Sequence, residues 1–189
     1  MKTLPLGLMS MILLVGIAFN ANCETSGKAT SEKSSGPAFK ISSLDFTDGA
    51  SIPKIYACTG SNYSPAIQWM NPPEKTKSFA MIVDDPDAPL ATFTHWVIFN
   101  IPAAQTALAE KSSPKGALPS GTLEGDNDFG KVGYGGPCPP PGKPHRYFFK
   151  LYALDTMLNL PAGTNKDNLL RAMQGHILGQ TQMIGLFAK

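Results

Sequence analysis

Residues 79–101 read FAMIVDDPDAPLATFTHWVIFNI and contain two strand-like apolar runs separated by an acidic, proline-rich turn. The first run, residues 79–83, is continuously apolar, as in a strand that is buried on both faces. The second run, residues 95–101, is rich in β-branched and aromatic residues and is ended by Pro102. These two strands predict the centre of a β-sheet, with the charged residues of the turn held at one end of the strands.

Further signals for regular structure lie on both sides of this segment. Residues 147–154 predict a third strong strand. One helix is predicted over residues 165–177, with Thr164 as its N-cap and with apolar residues at helical spacing that we expect to pack in the core. Weaker strand signals lie at residues 39–44, 67–69 and 183–187. This order of elements predicts a mainly β fold, a β-sandwich with a peripheral helix.

The composition indicates one folded domain with many turns. Of the 189 residues 42% are hydrophobic, and the 18 Gly and 17 Pro lie mostly between the apolar runs, which is typical of short strands joined by turns. The formal net charge is only +2. A nucleic-acid groove needs a basic stripe, so no nucleic-acid partner is expected.

The N-terminal residues are typical of an export signal. Lys2 precedes an uncharged apolar stretch, residues 4–19, that is shorter than the roughly 20 residues of a membrane span. One interpretation is cleavage by an ordinary signal peptidase after Ala18, and another is a bacterial lipoprotein box in which Cys23 is lipidated. An uncleaved N-terminal anchor is the third interpretation.

These observations predict the organisation of the chain. We expect a signal segment over residues 1–22, a flexible Ser/Gly/Lys-rich tether over 23–37 and a domain over 38–189 that works outside the cytoplasm, in a bacterium the periplasm. If Cys23 is set aside, Cys58 and Cys138 form a natural disulfide pair in an oxidising compartment. The alternative is two buried thiols.

Four polar elements adjoin the predicted strands and carry the candidate chemistry. They are the turn with Asp85, the strand start with His95, the glycine-rich segment 135–137 and the strand start with His145. Pairing of the three strong strands in one sheet predicts that these elements meet at one rim. Imidazole N–H groups and glycine amides suit a phosphate-like oxyanion, and the acidic residue would orient or charge the imidazoles.

The same four elements occur in the order and spacing of the phosphatidylethanolamine-binding protein family, also called Raf-kinase-inhibitor-like. The sequence resembles the short bacterial branch of that family, in which NDFG at 127–130 and GYGGPCPP at 133–140 are also typical. The resemblance covers residues 39–188 and implies two antiparallel β-sheets with a few peripheral helices. It also suggests a homodimer.

The resemblance implies a pocket for phosphate-like or other anionic head groups. By position, its residues are Asp85, His95, Gly136, Pro137, His145 and Tyr147. The family pattern also implies a structural ion-pair role for Arg146 and a cis peptide before Pro89. Thr94 stands where the larger eukaryotic members carry a further histidine, so their lipid ligand and kinase partners transfer poorly.

Other functions have weaker support. Two histidines and an aspartate can form a metal triad, but no HExxH or comparable spacing is present, and G-x-S-x-G and P-loop motifs are absent from the sequence. We therefore expect no enzyme activity, no cofactor and no metal. Two alternatives stay open: a protein-interaction module that inhibits a protease or, less readily, a kinase, and two histidines that serve only as hydrogen-bonded core residues.

Overall fold

The structure is a computed structural model that describes residues 36–189. The expected signal segment, Cys23 and most of the expected tether lie outside the described residues. Within residues 36–189 no helix is long and apolar enough to cross a membrane.

The described chain contains eight β-strands, one 3₁₀ helix and one α-helix. In chain order they are β1 (Lys40–Ser43), the 3₁₀ helix (Lys54–Tyr56), β2 (Ile67–Met70), β3 (Ser78–Asp85), β4 (Phe93–Pro102), β5 (Ala107–Leu108), β6 (Leu123–Glu124), β7 (His145–Leu154), α1 (Lys166–Met173) and β8 (Ile177–Phe187). Between β4 and β7 the described chain has only the two-residue strands β5 and β6, as expected for an irregular segment rich in Gly and Pro.

The strands form two antiparallel sheets. The smaller sheet has the order β1-β2-β5, and the larger has the order β6-β4-β3-β7-β8. Apolar side chains of both sheets share one core, in which Trp69 of the smaller sheet contacts Phe79 of the larger with ring centroids 5.1 Å apart. The predicted mainly β, two-sheet antiparallel fold is therefore confirmed.

β3 lies in the middle of the larger sheet and is buried along its whole length. Its side chains alternate between two cores because successive residues of a strand point to opposite faces. Met81 and Val83 belong to the core between the sheets, whereas Ala80 and Ile82 pack in a second core together with helix α1. This explains why the sequence of β3 is continuously apolar rather than alternating.

The helix is shorter than the sequence predicted. Its N-cap is Asn165, whose side-chain oxygen accepts a hydrogen bond of 2.9 Å from the amide of Asn168, rather than Thr164, whose hydroxyl donates to Pro161. The helix ends at Met173, and the positive φ of +80° at Gly175 turns the chain into the next strand. The expected core role is confirmed for Leu169 and Met173, which are fully buried, but is wrong for Leu170, which is 36% exposed.

The last strand is longer than the sequence predicted. β8 begins at Ile177 rather than at residue 183, so Ile177 belongs to a strand and not to the helix. β8 pairs with β7 over its whole length, from Ile177 opposite Leu154 to Phe187 opposite His145. This long-range pairing extends β8 into a segment whose local pattern is only weakly strand-like.

Candidate ligand-binding cavity

The topology brings the ends of three strands together. β3 ends at Asp85, and its antiparallel neighbours β4 and β7 begin beside that end, with Asp85 opposite Phe93 and Asp84 opposite Phe148. His95 lies near the start of β4 and His145 is the first residue of β7. The polar residues that the sequence placed at strand ends are therefore neighbours in space.

Asp85, His95 and His145 line one cavity of about 190 Å³. The remaining walls are Ala88, Pro89, Phe93, Phe129, Cys138, Pro139 and Pro140. All three polar side chains are largely buried. The structure thus brings together the carboxylate and both imidazoles of the predicted site.

A buried hydrogen bond joins His145 to Asp85. Nδ1 of His145 lies 2.8 Å from Oδ2 of Asp85, and the exposed fractions of the two side chains are 11% and 4%. The other oxygen of Asp85 accepts a hydrogen bond of 2.9 Å from the amide of Asp87. Because the carboxylate accepts from the Nδ1–H group, Nε2 is the ring nitrogen of His145 left for a ligand.

His95 has the same arrangement with a different partner. Its Nδ1 donates to the carbonyl of Gly135 over 2.7 Å, since a carbonyl oxygen can only accept. Burial lowers the pKa of His95, and the hydrogen bond to Gly135 and the charge of Asp85 oppose this shift less strongly. His95 therefore favours its neutral form, in which Nε2 is a hydrogen-bond acceptor.

The glycine-rich segment 135–137 is fixed by hydrogen bonds to two other parts of the chain. The amide of Gly135 donates to the carbonyl of His95 over 2.9 Å, and the amide of Gly136 donates to Oδ1 of Asn62 over 2.8 Å. Both N–H groups are therefore occupied by protein acceptors, although the sequence suggested that they face a ligand. A Cβ on Gly136 would lie 2.0 Å from the carbonyl oxygen of Tyr56, so glycine is required here for close packing.

Pro137 and Cys138 also connect this segment to the rest of the domain, in both cases through Cys58. The carbonyl of Pro137 accepts a hydrogen bond of 3.0 Å from the amide of Cys58, and Cys58 and Cys138 are joined by a disulfide with an S–S distance of 2.01 Å. Gly136 and Pro137 are not among the residues that line the cavity of Asp85 and the histidines. In this structure their hydrogen bonds fix the position of the cavity wall, and the two residues do not line the cavity themselves.

Tyr147 supports the cavity from within the core. Its ring packs edge-on against His95 with centroids 5.1 Å apart, and the residue is almost fully buried. Its hydroxyl makes no hydrogen bond with another described residue. Burial, reinforced by the negative charge of Asp85, raises the pKa of Tyr147 well above its ordinary value, so the hydroxyl stays protonated.

Phe129 is a wall residue that the site prediction missed. Its ring packs against Phe93 at 4.7 Å and against His95 at 5.3 Å between centroids. Phe129 belongs to the NDFG stretch at 127–130, which carries the family resemblance but was not predicted to form the site. Asn127 accepts hydrogen bonds from the amides of Phe129 and Lys131, which folds this stretch into the turn that presents the ring.

The acidic turn itself is closed by an exposed ion pair. Arg146 donates from Nε and a terminal nitrogen to the two oxygens of Asp87 over 2.9 and 2.7 Å, as the ion-pair interpretation of Arg146 expected. These bonds lower the pKa of Asp87 to about 2.

The expected cis peptide before Pro89 is wrong: in residues 36–189 the cis bond is Ser113–Pro114. The turn is instead stabilised by a hydrogen bond that the backbone amide of Asp87 donates to the carboxylate of Asp85.

Within the described range no group of three or more His, Cys, Asp or Glu side chains is placed to hold a metal ion. Asp84, next to Asp85 in sequence, points to the other face of the sheet and pairs with Lys150 and Lys166 at 3.0 and 3.2 Å. Asp84 therefore attaches helix α1 to the sheet and takes no part in the cavity.

Comparison with known proteins decides the family. The sequence profile of the phosphatidylethanolamine-binding protein family matches residues 42–188. The chain belongs to the phosphatidylethanolamine-binding protein family. A relative from the archaeon Methanothermobacter thermautotrophicus, named UPF0098 protein, is 52% identical over 144 residues, which are 76% of this chain and 95% of that protein. A UPF0098 protein from the bacterium Aquifex aeolicus is 49% identical, over 82% of this chain and 91% of the relative. This group of phosphatidylethanolamine-binding protein relatives is thus archaeal as well as bacterial.

Solved structures of family members share the fold. The homologue CT736 from Chlamydia trachomatis matches with a TM-score of 0.73 at 36% identity, over 80% of this chain and 98% of that one. YbcL from Escherichia coli, described as a member of the mammalian phosphatidylethanolamine-binding protein family, matches with a TM-score of 0.76 at 34% identity, over the same shares. The family fold supports a ligand-binding protein.

Proposed function

We propose that this protein binds a small phosphate-like or other anionic head group in the cavity of Asp85, His95 and His145, outside the cytoplasm and without catalysing a reaction. One observation carries the proposal. Both imidazoles use Nδ1 for protein partners, Asp85 and Gly135, at 2.8 and 2.7 Å, so each has Nε2 left for a shared ligand.

The two imidazoles offer different hydrogen bonds. Next to the Asp85 carboxylate the imidazolium form of His145 gains a counter-charge, and its Nε2–H donates to an anionic oxygen. Neutral His95 accepts at Nε2. A phosphate monoester with one protonated oxygen matches this pair, since it has both a charged acceptor and an O–H donor.

The size of the cavity supports a head group rather than a large molecule. Its volume of about 190 Å³ lies below the roughly 300–1,000 Å³ of sites for drug-sized ligands. The walls include no serine or threonine, and the sulfur of Cys138 is held in a disulfide. These walls therefore offer no hydroxyl or free thiol nucleophile for covalent catalysis, which supports binding.

Export is supported by the sequence of residues 1–22 and agrees with the disulfide. Disulfides persist in oxidising compartments and are rare in the cytosol. The pair Cys58–Cys138 holds the cavity wall, so the cavity suits such a compartment.

Calorimetry with inorganic phosphate and phosphate monoesters tests the proposal. We expect the wild type to bind at least one of them and His145→Ala to lose binding by about a hundredfold, because a charged hydrogen bond is removed. His176→Ala is the matched control, since His176 also pairs with an aspartate at 2.8 Å but lies outside the cavity. Equal binding by wild type and His145→Ala contradicts the proposal.

Protease inhibition is the alternative function, and one observation favours it. Leu90 is fully exposed and directly follows the cavity residue Pro89, so it is an accessible apolar contact for a partner protein. If no anion binds to the wild type while a protease is inhibited, and Leu90→Ala removes that inhibition, the alternative replaces the first proposal.

A further inference from the structure

A second, larger cavity lies next to the candidate ligand-binding cavity. Its volume is about 650 Å³, compared with about 190 Å³ for the first. Phe129 and Cys138 line both cavities, and Gly135 and Gly136 line the larger one. The larger cavity is therefore adjacent to the first across the Phe129 side chain.

Phe129 separates the cavities through packing alone. Its ring contacts His95 on the side of the first cavity and lies so close to Gly135 that a Cβ there would be 2.5 Å from its Cδ2 atom. Phe129 is 40% exposed, so solvent reaches the ring. The exposed part of the Phe129 ring is therefore an apolar surface shared by the two cavities.

The larger cavity combines apolar walls with positive charge. Pro114, Val132 and Tyr134 contribute apolar surface, while Lys115 and Lys131 contribute ammonium groups. Its lining, as far as the structure describes it, includes no acidic residue. Unpaired surface lysines are common, but these two line an apolar cavity. That cavity shares Phe129 and Cys138 with the proposed anion site.

Neither lysine is neutralised within the part of the chain that the structure describes. The ion pairs of residues 36–189 involve Lys111, Lys150 and Lys166 but not Lys115 or Lys131. The charge of both ammonium groups is therefore available to a ligand.

Hydrogen bonds from backbone amides to backbone and side-chain oxygens fix the loops that carry both lysines. Next to Lys115, Ser64 and Ser113 exchange two hydrogen bonds, of 2.9 Å between amide and carbonyl and 3.1 Å between amide and hydroxyl. The amide of Asn127 donates to the carbonyl of Lys131 over 2.9 Å, and the amide of Lys131 donates back to Oδ1 of Asn127. Such loops lose little backbone freedom when a ligand binds.

We propose that the larger cavity is a second subsite, for elongated ligands with a phosphate-like head, an apolar middle and a second anionic group. The head occupies the first cavity, the middle lies along Phe129, and the second anion lies between Lys115 and Lys131. This inference rests on the proposed function, because it takes the first cavity as the site of the head group.

Three probes test the second subsite by calorimetry: inorganic phosphate, hexyl phosphate, and hexanediol bisphosphate with a phosphate at each end. We expect the bisphosphate to bind the wild type about tenfold more tightly than hexyl phosphate, because partly solvated ion pairs contribute modestly. The double variant Lys115→Gln/Lys131→Gln should remove this difference and leave the affinity for inorganic phosphate unchanged.

Lys40→Gln/Lys77→Gln is the matched control. It changes the net charge equally at two exposed lysines that line neither cavity, so it isolates the general effect of charge. An equal loss of bisphosphate affinity in this control overturns the second subsite. Equal binding of hexyl phosphate and the bisphosphate by the wild type also overturns it.

The two proposals fail in distinguishable ways. If His145→Ala binds inorganic phosphate like the wild type, the first subsite is wrong. If inorganic phosphate binding is unchanged in His145→Ala while the preference for the bisphosphate still needs Lys115 and Lys131, the second subsite is kept and the first is removed. If the wild type binds none of the three probes, both are wrong.

Discussion

Two histidine–aspartate pairs in this protein have the same geometry and different surroundings. Nδ1 lies 2.8 Å from a carboxylate oxygen both in His145–Asp85 and in His176–Asp155. The side chains of the first pair are 11% and 4% exposed, and those of the second are 47% and 43% exposed. The first pair lies in a cavity wall at the convergence of three strands, and the second lies where α1 turns into β8.

The comparison indicates that burial, rather than the distance between the two atoms, decides how much a histidine–aspartate pair contributes to stability. Water screens the exposed pair and can replace either partner, whereas the buried pair has been desolvated and each partner depends on the other. The buried pair also orients an imidazole towards a cavity that a ligand can enter. The following predictions test this contrast.

The largest effect is expected from removing the carboxylates. Asp85→Ala should lower the free energy of unfolding by about 3 kcal/mol, because a buried pair loses one partner and the amide of Asp87 loses its acceptor. Asp155→Ala should lower it by less than about 1 kcal/mol. Urea denaturation at neutral pH measures both, and equal losses would contradict the contrast.

The pH dependence of binding is the next prediction. Affinity for inorganic phosphate should fall by up to about tenfold per pH unit as the pH rises through the imidazole range, because imidazolium binds an anion best. Calorimetry between about pH 5 and 8 should show a flatter profile for His145→Gln and an unchanged one for His176→Gln. A flat wild-type profile would argue against a direct role for His145.

A smaller effect is expected on the acid stability of the protein. The pKa of His95 is lower in the folded state than its unfolded value of about 6.5. The unfolded chain therefore binds the proton more readily, and stability should decrease as the pH falls below about 6.5. His95→Asn has no titrating group, so its stability should decrease less between about pH 7.5 and about pH 5. Denaturation at both pH values measures this, and parallel pH dependences would show that His95 makes no contribution.

The smallest effect is expected from the exposed pair on the same acidic turn. Asp87→Asn should cause only a slight loss of stability at neutral pH, because the Arg146 guanidinium is more than half exposed. The pKa of Asp87 is lowered to about 2, so its contribution should be present above about pH 4 and disappear as the pH falls towards 2. Thermal denaturation at several pH values checks this, and a loss as large as that of Asp85→Ala would be unexpected.

The sequence was most informative where a pattern repeats over a whole strand. The continuous apolar run at 79–83 correctly predicted a central strand that is buried on both faces. The first half of β8 and the end of α1 were predicted wrongly, since β8 is stabilised by pairing with the distant β7 and the helix is ended by Gly175. Local patterns contain little information about either.

The candidate site shows the same difference between features that a local pattern predicts and features that depend on long-range contacts. Asp85, His95 and His145 were found because ionisable residues at strand ends stand out in the sequence, and they line one cavity. The role of the glycine-rich segment was harder to predict, because its amides bond to His95 and Asn62, residues far away in the chain. Phe129 was missed as a wall residue, since an aromatic ring in a loop gives no sign of what it will pack against.

By itself, the sequence determined the β-rich class, the central strands and the ionisable residues at the strand ends, because strand periodicity and side-chain chemistry are local properties. Only the tertiary structure decided which nitrogen of each imidazole is free, which glycine amides are occupied and how burial distinguishes His145–Asp85 from His176–Asp155. These depend on contacts between residues far apart in the chain and on the exclusion of water, neither of which a single stretch of sequence records.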